Sequence, residues 1–196
     1  MFVSLEGIDG SGKSAQARLL AEALGPETVL VREPGGTAAA ERVRDLLADG
    51  ALELDPMAEL LLFCAARADL VRRVIRPALE AGRDVVSDRF ADSSAAYQGG
   101  GRGMGLELAE RLSEAAAEGL RPDLTLLLWI DPQQAAKRSA GDDRFEAAGL
   151  DFQRVVAAAY EEIAARHAER VVRVDASGSV EEVHARVMEA VEARNE

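Results

Sequence analysis

A chain of 196 residues and 20.9 kDa is long enough for one α/β domain with a well-buried core and too short to divide comfortably into two. A net charge of −12 argues against a nucleic-acid surface, which needs clustered cations, and any nucleotide partner should therefore be small. A hydrophobic fraction of 48% excludes disorder, no uncharged apolar run approaches the roughly 18 residues of a membrane span, and a lone Cys64 with no basic leader points to a reducing cytoplasmic setting.

In chain order, Phe2 to Leu5 reads as a short strand that empties into Gly7-Ile8-Asp9-Gly10-Ser11-Gly12-Lys13-Ser14. This is the pattern G-x-x-x-x-G-K-S/T in its required strand, loop and helix context. Glycines at 7, 10 and 12 let backbone N–H groups turn inward and form a concave nest for phosphate oxygens. Lys13 would reach the β- and γ-phosphates, the Ser14 hydroxyl would ligate Mg²⁺, and the helix from Lys13 to about Leu24 would turn its positive end to the same anion. ATP and Mg²⁺ are the expected cofactors. Only Lys13 and Lys137 are lysines, so Lys13 is not one of many interchangeable ammonium groups.

Thr28 to Val31 is a second strand candidate, followed by the loop Arg32-Glu33-Pro34-Gly35-Gly36-Thr37 and a helix from about Ala38 to Ala48, with Val43, Leu46 and Leu47 on one face. Asp55-Pro56 reads as N-cap and first residue of a long helix to about Ala81, ended by Gly82. Asp84 to Ser87 is a strand with Asp88-Arg89-Phe90 at its carboxyl end, then a helical turn bearing Ser93, Ser94, Tyr97 and Gln98, then a loop at Gly99-Gly100-Gly101. Leu106 to Gly119 is an amphipathic helix. The apolar run Pro122 to Ile130 suits a central strand covered on both faces. Asp131-Pro132 caps a short helix, a polar segment of 139–150 separates it from a helix over Phe152 to Ala168, and Arg170 to Val174 is the fifth strand. Ser179 and Glu182 form a capping box opening a last helix, whose buried stripe is Val180, Val183, Val187 and Val191. His167 and His184 fall in helices away from the motifs and read as surface residues.

Five strands alternating with helices demand a parallel five-stranded sheet with helices on both faces, and ligands bind beyond the carboxyl ends of such strands. The P-loop, the loop at Arg32 to Thr37, Asp88-Arg89 and the segment after Asp131 all converge there. The N-K-x-D base-reading signal of a GTPase is missing, because the single Asn is Asn195.

Taken together, GIDGSGKS, REPGGT at Arg32 to Thr37, LLFCAAR at Leu61 to Arg67, SDRFADSSAAYQGGGRG at Ser87 to Gly103 and PDLTLLL at Pro122 to Leu128 make the chain resemble bacterial thymidylate kinases over nearly its whole length. The resemblance implies transfer of a phosphoryl group from Mg·ATP to dTMP by a homodimeric cytoplasmic enzyme, built as a single P-loop kinase domain with a lid at 139–150. It implies that Phe63 stacks on thymine, Arg67 donates to its O4, and Ser94 and Gln98 line the base and sugar pocket. Tyr97 would lie beside the sugar C2′. Arg89 would grip the acceptor phosphate, with Arg44 a second phosphate contact and Glu33 a carboxylate near the acceptor. Asp9 would lie near the sugar 3′-OH, the acceptor phosphate or the metal. Some members of the family carry a catalytic arginine inside the P-loop. Here Gly10-Ser11 stands in its place, so the lid must deliver the cation, with Arg144 the first candidate, Arg138 the second and Lys137 a third. The alternatives are another P-loop nucleoside-monophosphate or deoxynucleoside kinase, and a nucleotide-binding protein without turnover.

Overall fold

The computed structural model describes residues 1–138 and 149–195. Five strands, β1 (Phe2–Glu6), β2 (Val29–Arg32), β3 (Val85–Asp88), β4 (Leu124–Trp129) and β5 (Val171–Asp175), form one parallel sheet in the order β2-β3-β1-β4-β5. Val3 on the central strand is registered with Val86 on one side and Leu124 on the other. All five residues of β1 are buried, as a strand flanked by neighbours and covered on both faces requires. β2 and β3 lie on one side of β1 and β4 and β5 on the other, so the crevice at the carboxyl end of β1 is where an open α/β sheet offers a ligand site.

The helices are α1 (Lys13–Leu24), α2 (Ala38–Ala48), α3 (Pro56–Leu70), α4 (Arg76–Glu80), α5 (Ala91–Ser94), α6 (Leu106–Ala116), α7 (Pro132–Ala136), α8 (Gly149–Arg166) and α9 (Val180–Asn195). Their starts are encoded locally. Thr37 Oγ1 accepts from Ala40 N at 3.1 Å, Asp55 Oδ1 from Met57 N at 2.9 Å with Pro56 following, and Asp131 Oδ1 from Gln133 N at 2.9 Å. At α9 the reciprocal box forms, with Ser179 N donating to Glu182 Oε2 at 2.8 Å and Glu182 N to Ser179 Oγ at 3.2 Å.

The expected helix over 55–81 is a continuous helical run, but Val71–Ile75 winds as a π-helix between α3 and α4. Arg76 N bonds Val71 O, five residues back, and this wider turn accommodates Pro77, which has no N–H to give the helix and whose ring would crowd the carbonyl of Arg73. The expected loop at Gly99-Gly100-Gly101 is likewise helical. Ala95–Gly101 continues α5 as a second π-helix, and a Cβ at Gly100 would lie 2.4 Å from the Ala159 Cβ. The glycines therefore serve close approach of this segment to α8. Two expected core positions are exposed, Leu46 at 40% and Val180 at 49%, whereas Leu47, Val183, Val187 and Val191 are buried. The histidines are half-buried: His167 lies in the turn after α8 against Glu110, and His184 Nδ1 faces Gln16 Oε1 on α1 at 3.2 Å.

The core divides at the sheet. One cluster gathers β1, β4 and β5 against α1, α6, α8 and α9, and a smaller one packs Phe2, Val31, Val85 and Phe90 against Leu70, Val71 and Ile75. Among the described residues no helix is long and apolar enough to cross a membrane.

Candidate active site

The loop from Gly7 to Gly12 wraps the N-terminus of α1, with Gly12 in a left-handed conformation as the N-cap. Gly10 has φ +79°, and a Cβ there would meet the Ala135 carbonyl oxygen of α7 at 2.3 Å. Of the Gly10-Ser11 pair that stands where some P-loops carry arginine, Gly10 has no room for a Cβ unless α7 shifts. Lys13 is buried and folds back on the nest, its Nζ donating to Ile8 O at 2.7 Å and to Ser11 Oγ at 3.3 Å. Burial, with the nearby Arg89 charge, lowers its ammonium to about 8. Ser14 is exposed in the first helical turn and donates to Asp88 Oδ2 at 2.5 Å, which brings the end of β3 onto the P-loop hydroxyl.

Arg89 follows β3 with φ +73°, an uncommon conformation for a residue with a Cβ and a mark of a functional constraint. Its guanidinium spans the space between the P-loop and a neighbouring cavity. It pairs with Asp9, and it donates to Gly7 O at 3.2 Å, Ser93 Oγ at 3.1 Å and Tyr97 OH at 3.2 Å. Burial pushes the Asp9 carboxyl up, but the charges of Arg89 and Lys13 outweigh it and hold Asp9 below the ordinary carboxylate value. Gln153 Nε2 of α8 donates to the other Asp9 oxygen at 3.0 Å.

The cavity beside this pair is walled by Leu47, Ala48, Phe63 and Phe90, with Pro34 at its edge. Every residue expected to contact the acceptor lines it: Glu33, Arg44, Phe63, Arg67, Arg89, Ser94, Tyr97 and Gln98, with Asp9 at the end toward the P-loop. Arg67 is 1% exposed and held on all sides, its Nε donating to Glu33 Oε2 at 2.9 Å, Nη1 to Ser113 Oγ at 3.0 Å, and Nη2 to Phe90 O at 3.1 Å and Ser94 Oγ at 3.0 Å. Burial raises the Glu33 carboxyl despite Arg67, and its Oε1 is a buried acceptor with no hydrogen-bond partner among the described residues. Arg44 is exposed at the rim and donates to Pro34 O at 2.9 Å.

Arg144 lies outside the described residues. Arg138, the second candidate for the lid cation, donates to Ala176 O at 3.0 Å and reaches Gly178 O at 3.5 Å, on the loop after β5. Lys137 is exposed in the turn after α7.

Two carboxylates, Glu6 and Glu59, escaped the sequence reading, and a third, Asp88, was placed at the site without a role. Glu6 at the end of β1 is fully buried, accepting from Phe90 N at 2.7 Å, Ser93 Oγ at 2.6 Å and Tyr160 OH at 2.9 Å, and burial together with Asp92 raises it to about 7. Asp88 meets Ser14, and Glu59 on α3 lies behind the cavity against Gln98 and Arg102. Glu6 and Asp88 at strand ends were legible as positions where ligands bind. Nothing local marks Glu59.

A glycine-rich anion nest opening a helix, with a buried cation and a serine hydroxyl beneath it, stands next to a pocket of arginines and aromatic walls. This fold and site define a P-loop phosphotransferase acting on nucleotides. A family model described as thymidylate kinase matches residues 5–187. The thymidylate kinase of Synechococcus sp. (strain JA-3-3Ab) is 47% identical over 197 residues, 99% of this chain and 96% of that one, and that of Deinococcus radiodurans is 44% identical over 200 residues, covering 99% and 97%. The crystal structure of thymidylate kinase from Ehrlichia chaffeensis superposes with a TM-score of 0.81 at 34% identity, covering 98% of both chains. The chain belongs to the thymidylate kinase family.

Proposed function

We propose that this chain transfers the γ-phosphoryl group of ATP to dTMP, giving dTDP and ADP, through the residues assembled around Arg89. The observation that carries the reading is the Asp9–Arg89 pair, which joins the phosphate nest to the cavity so that a donor on one side and an acceptor on the other share one guanidinium. ATP occupies the nest from Gly7 to Ser14. Lys13 exchanges the Ile8 carbonyl for phosphate oxygens, and the α1 dipole adds to its charge. Arg89 forks onto the acceptor phosphate with Arg44 at the rim, and the two hold it in line with the donor. Phe63 stacks on the base, Arg67 donates to its carbonyl, and Ser94 and Gln98 complete the pocket. Tyr97 crowds a ribose 2′-OH, and the unpartnered Glu33 Oε1 is an acceptor for the sugar side.

The Ser14 hydroxyl and the adjacent Asp88 carboxylate are hard oxygen donors, and no cluster of three metal-ligating side chains exists among the described residues. That set fits Mg²⁺, which keeps waters and phosphate oxygens as its other ligands. Ser14, with Asp88 beside it, would hold the ion, which would supply positive charge against the donor phosphates. The protein's own work is positioning and charge stabilisation, so no nucleophilic side chain is required.

The chain acts as one domain with a lid at 139–150, in the cytoplasm and as a homodimer, and sedimentation tests the last point. A closing lid that supplies Arg144 predicts that Arg144→Ala loses roughly 10³-fold or more in kcat with dTMP affinity little changed. A kcat within a few-fold of wild type would pass the role to another cation.

The deciding assay couples ADP release to a panel of dTMP, dUMP, dCMP, dAMP, UMP and thymidine. Turnover should be fastest with dTMP and absent with thymidine. The methyl group separating dTMP from dUMP predicts about 10- to 200-fold preference. Fastest turnover with another acceptor would overturn the base pocket, and no turnover with any of them would favour a binding protein.

A further inference from the structure

Glu59 is 0% exposed, on the face of α3 that meets the π-helix Ala95–Gly101. Its Oε1 accepts from Gln98 Nε2 at 2.9 Å, and its two oxygens take Arg102 Nε and Nη2, each at 3.2 Å. Arg102 also lies over the Phe152 ring of α8, at 5.0 Å from the centroid. Gln98 is itself 1% exposed, lines the acceptor cavity, and its Oε1 makes no hydrogen bond among the described residues.

A carboxylate held by an arginine is an acceptor only, so Gln98 can meet Glu59 with its NH₂ and not with its carbonyl. The polarity of the Gln98 amide is thereby fixed by chemistry, and the atom left for the cavity is the oxygen. Arg67, donor only, lines the same cavity.

We infer that Glu59 is a positioning residue for base selection: it locks the Gln98 carboxamide with its oxygen toward the acceptor, so that the site takes a pyrimidine edge offering an imide N–H beside a carbonyl. Thymine and uracil present that edge. Cytosine presents an acceptor at N3 and an amino donor at C4, and so opposes Gln98 and Arg67 at both atoms. In a buried site a mismatched pair leaves unpaired polar groups on both sides and is rejected strongly. The inference rests on the proposed reaction and deepens it.

Glu59→Gln tests it. A neutral amide at position 59 can donate or accept, which frees Gln98 to turn over. The dTMP to dCMP ratio of kcat/KM should fall about 10-fold or more, chiefly through a higher KM for dTMP, with the KM for ATP unchanged. Glu59→Asp, which keeps the acceptor-only group, should recover part of the ratio. A merely structural role would lower both acceptors together and leave the ratio where it was, and that result overturns the inference.

Should neither variant fold, the wild-type protein still decides. N3-methyl-dTMP, which has no N3–H to give Gln98 Oε1, should bind at least about 10-fold more weakly than dTMP, and equal binding overturns the inference. Wild-type turnover of dTMP in the same assay is read separately: if it is present while the ratio is unmoved in Glu59→Gln, the Glu59 role fails and the reaction stands.

Discussion

Lys13 and Arg67 show how burial sets the chemistry of single side chains. Without a phosphate, Lys13 is lowered to about 8 because its ammonium is out of water and near Arg89. The charge of a polyanion in the nest outweighs both causes, so nucleotide binding should raise that value and take up a proton above pH 8. Affinity for ATP should then fall as pH rises through 8. Titration calorimetry in two buffers of different ionisation enthalpy measures the proton count directly, and zero uptake at pH 8.5 would contradict the account. Arg67 and Glu33 form a fully buried ion pair, 2.7 Å apart. Arg67→Met leaves Glu33 uncompensated and should cost about 3–5 kcal/mol of stability, whereas Arg67→Met with Glu33→Gln should recover a large part of it. Denaturant unfolding of both variants measures the difference. The site was most legible at this scale where motif and spacing coincide. Gly7 to Ser14 are contiguous, whereas Phe63 and Arg67 share a helix face that spacing alone does not tell from ordinary core, and they were named through the family resemblance. Glu6 was not, because a glutamate ending a strand before a glycine looks solvated until Tyr160, from the other end of the chain, closes over it.

At the level of elements, capping residues and apolar runs placed the strands, and the helix starts other than that of α4, to within a few residues, since those signals are local. The two π-helices were not legible. Each depends on what lies across from it or just beyond it: Pro77 for Val71–Ile75, and the close approach of α8 for Ala95–Gly101. Three successive glycines carry the ordinary signal of a loop, and only the neighbouring helix explains their helical conformation. Gly100→Ala places a Cβ 2.4 Å from the Ala159 Cβ and must push α8 away. Overpacking of this kind should cost about 1–3 kcal/mol. Because α8 carries Gln153 to Asp9 and Tyr160 to Glu6, activity should fall as well as the melting temperature. Loss of stability with unchanged kcat and KM would show that α8 can shift without disturbing Arg89.

For the whole molecule, the sheet order sets β1 beside β3, and the last residues of these two strands, the buried Glu6 and the half-buried Asp88, bring charge to the site. Glu6 links that arrangement to global stability. Its folded value of about 7 lies above the ordinary 4.5, raised by burial and by Asp92, so between these values the native state holds a proton that the unfolded chain has released. Stability must therefore decline as pH rises across that window, which is opposite in sign to the contribution of a salt-bridged carboxylate such as Asp9. The decline should amount to roughly 1–3 kcal/mol between pH 5 and 7.5, and Glu6→Gln should flatten it while leaving the loss below pH 4 in place. Urea unfolding at half-unit pH steps gives both curves. The deprotonated carboxylate is also the stronger acceptor for Ser93 and Tyr160, the two hydroxyls on which Arg89 rests. The pH at which the fold gives up stability is then the pH at which Arg89 is held most firmly. Parallel slopes for wild type and Glu6→Gln would separate the two and remove Glu6 from the account.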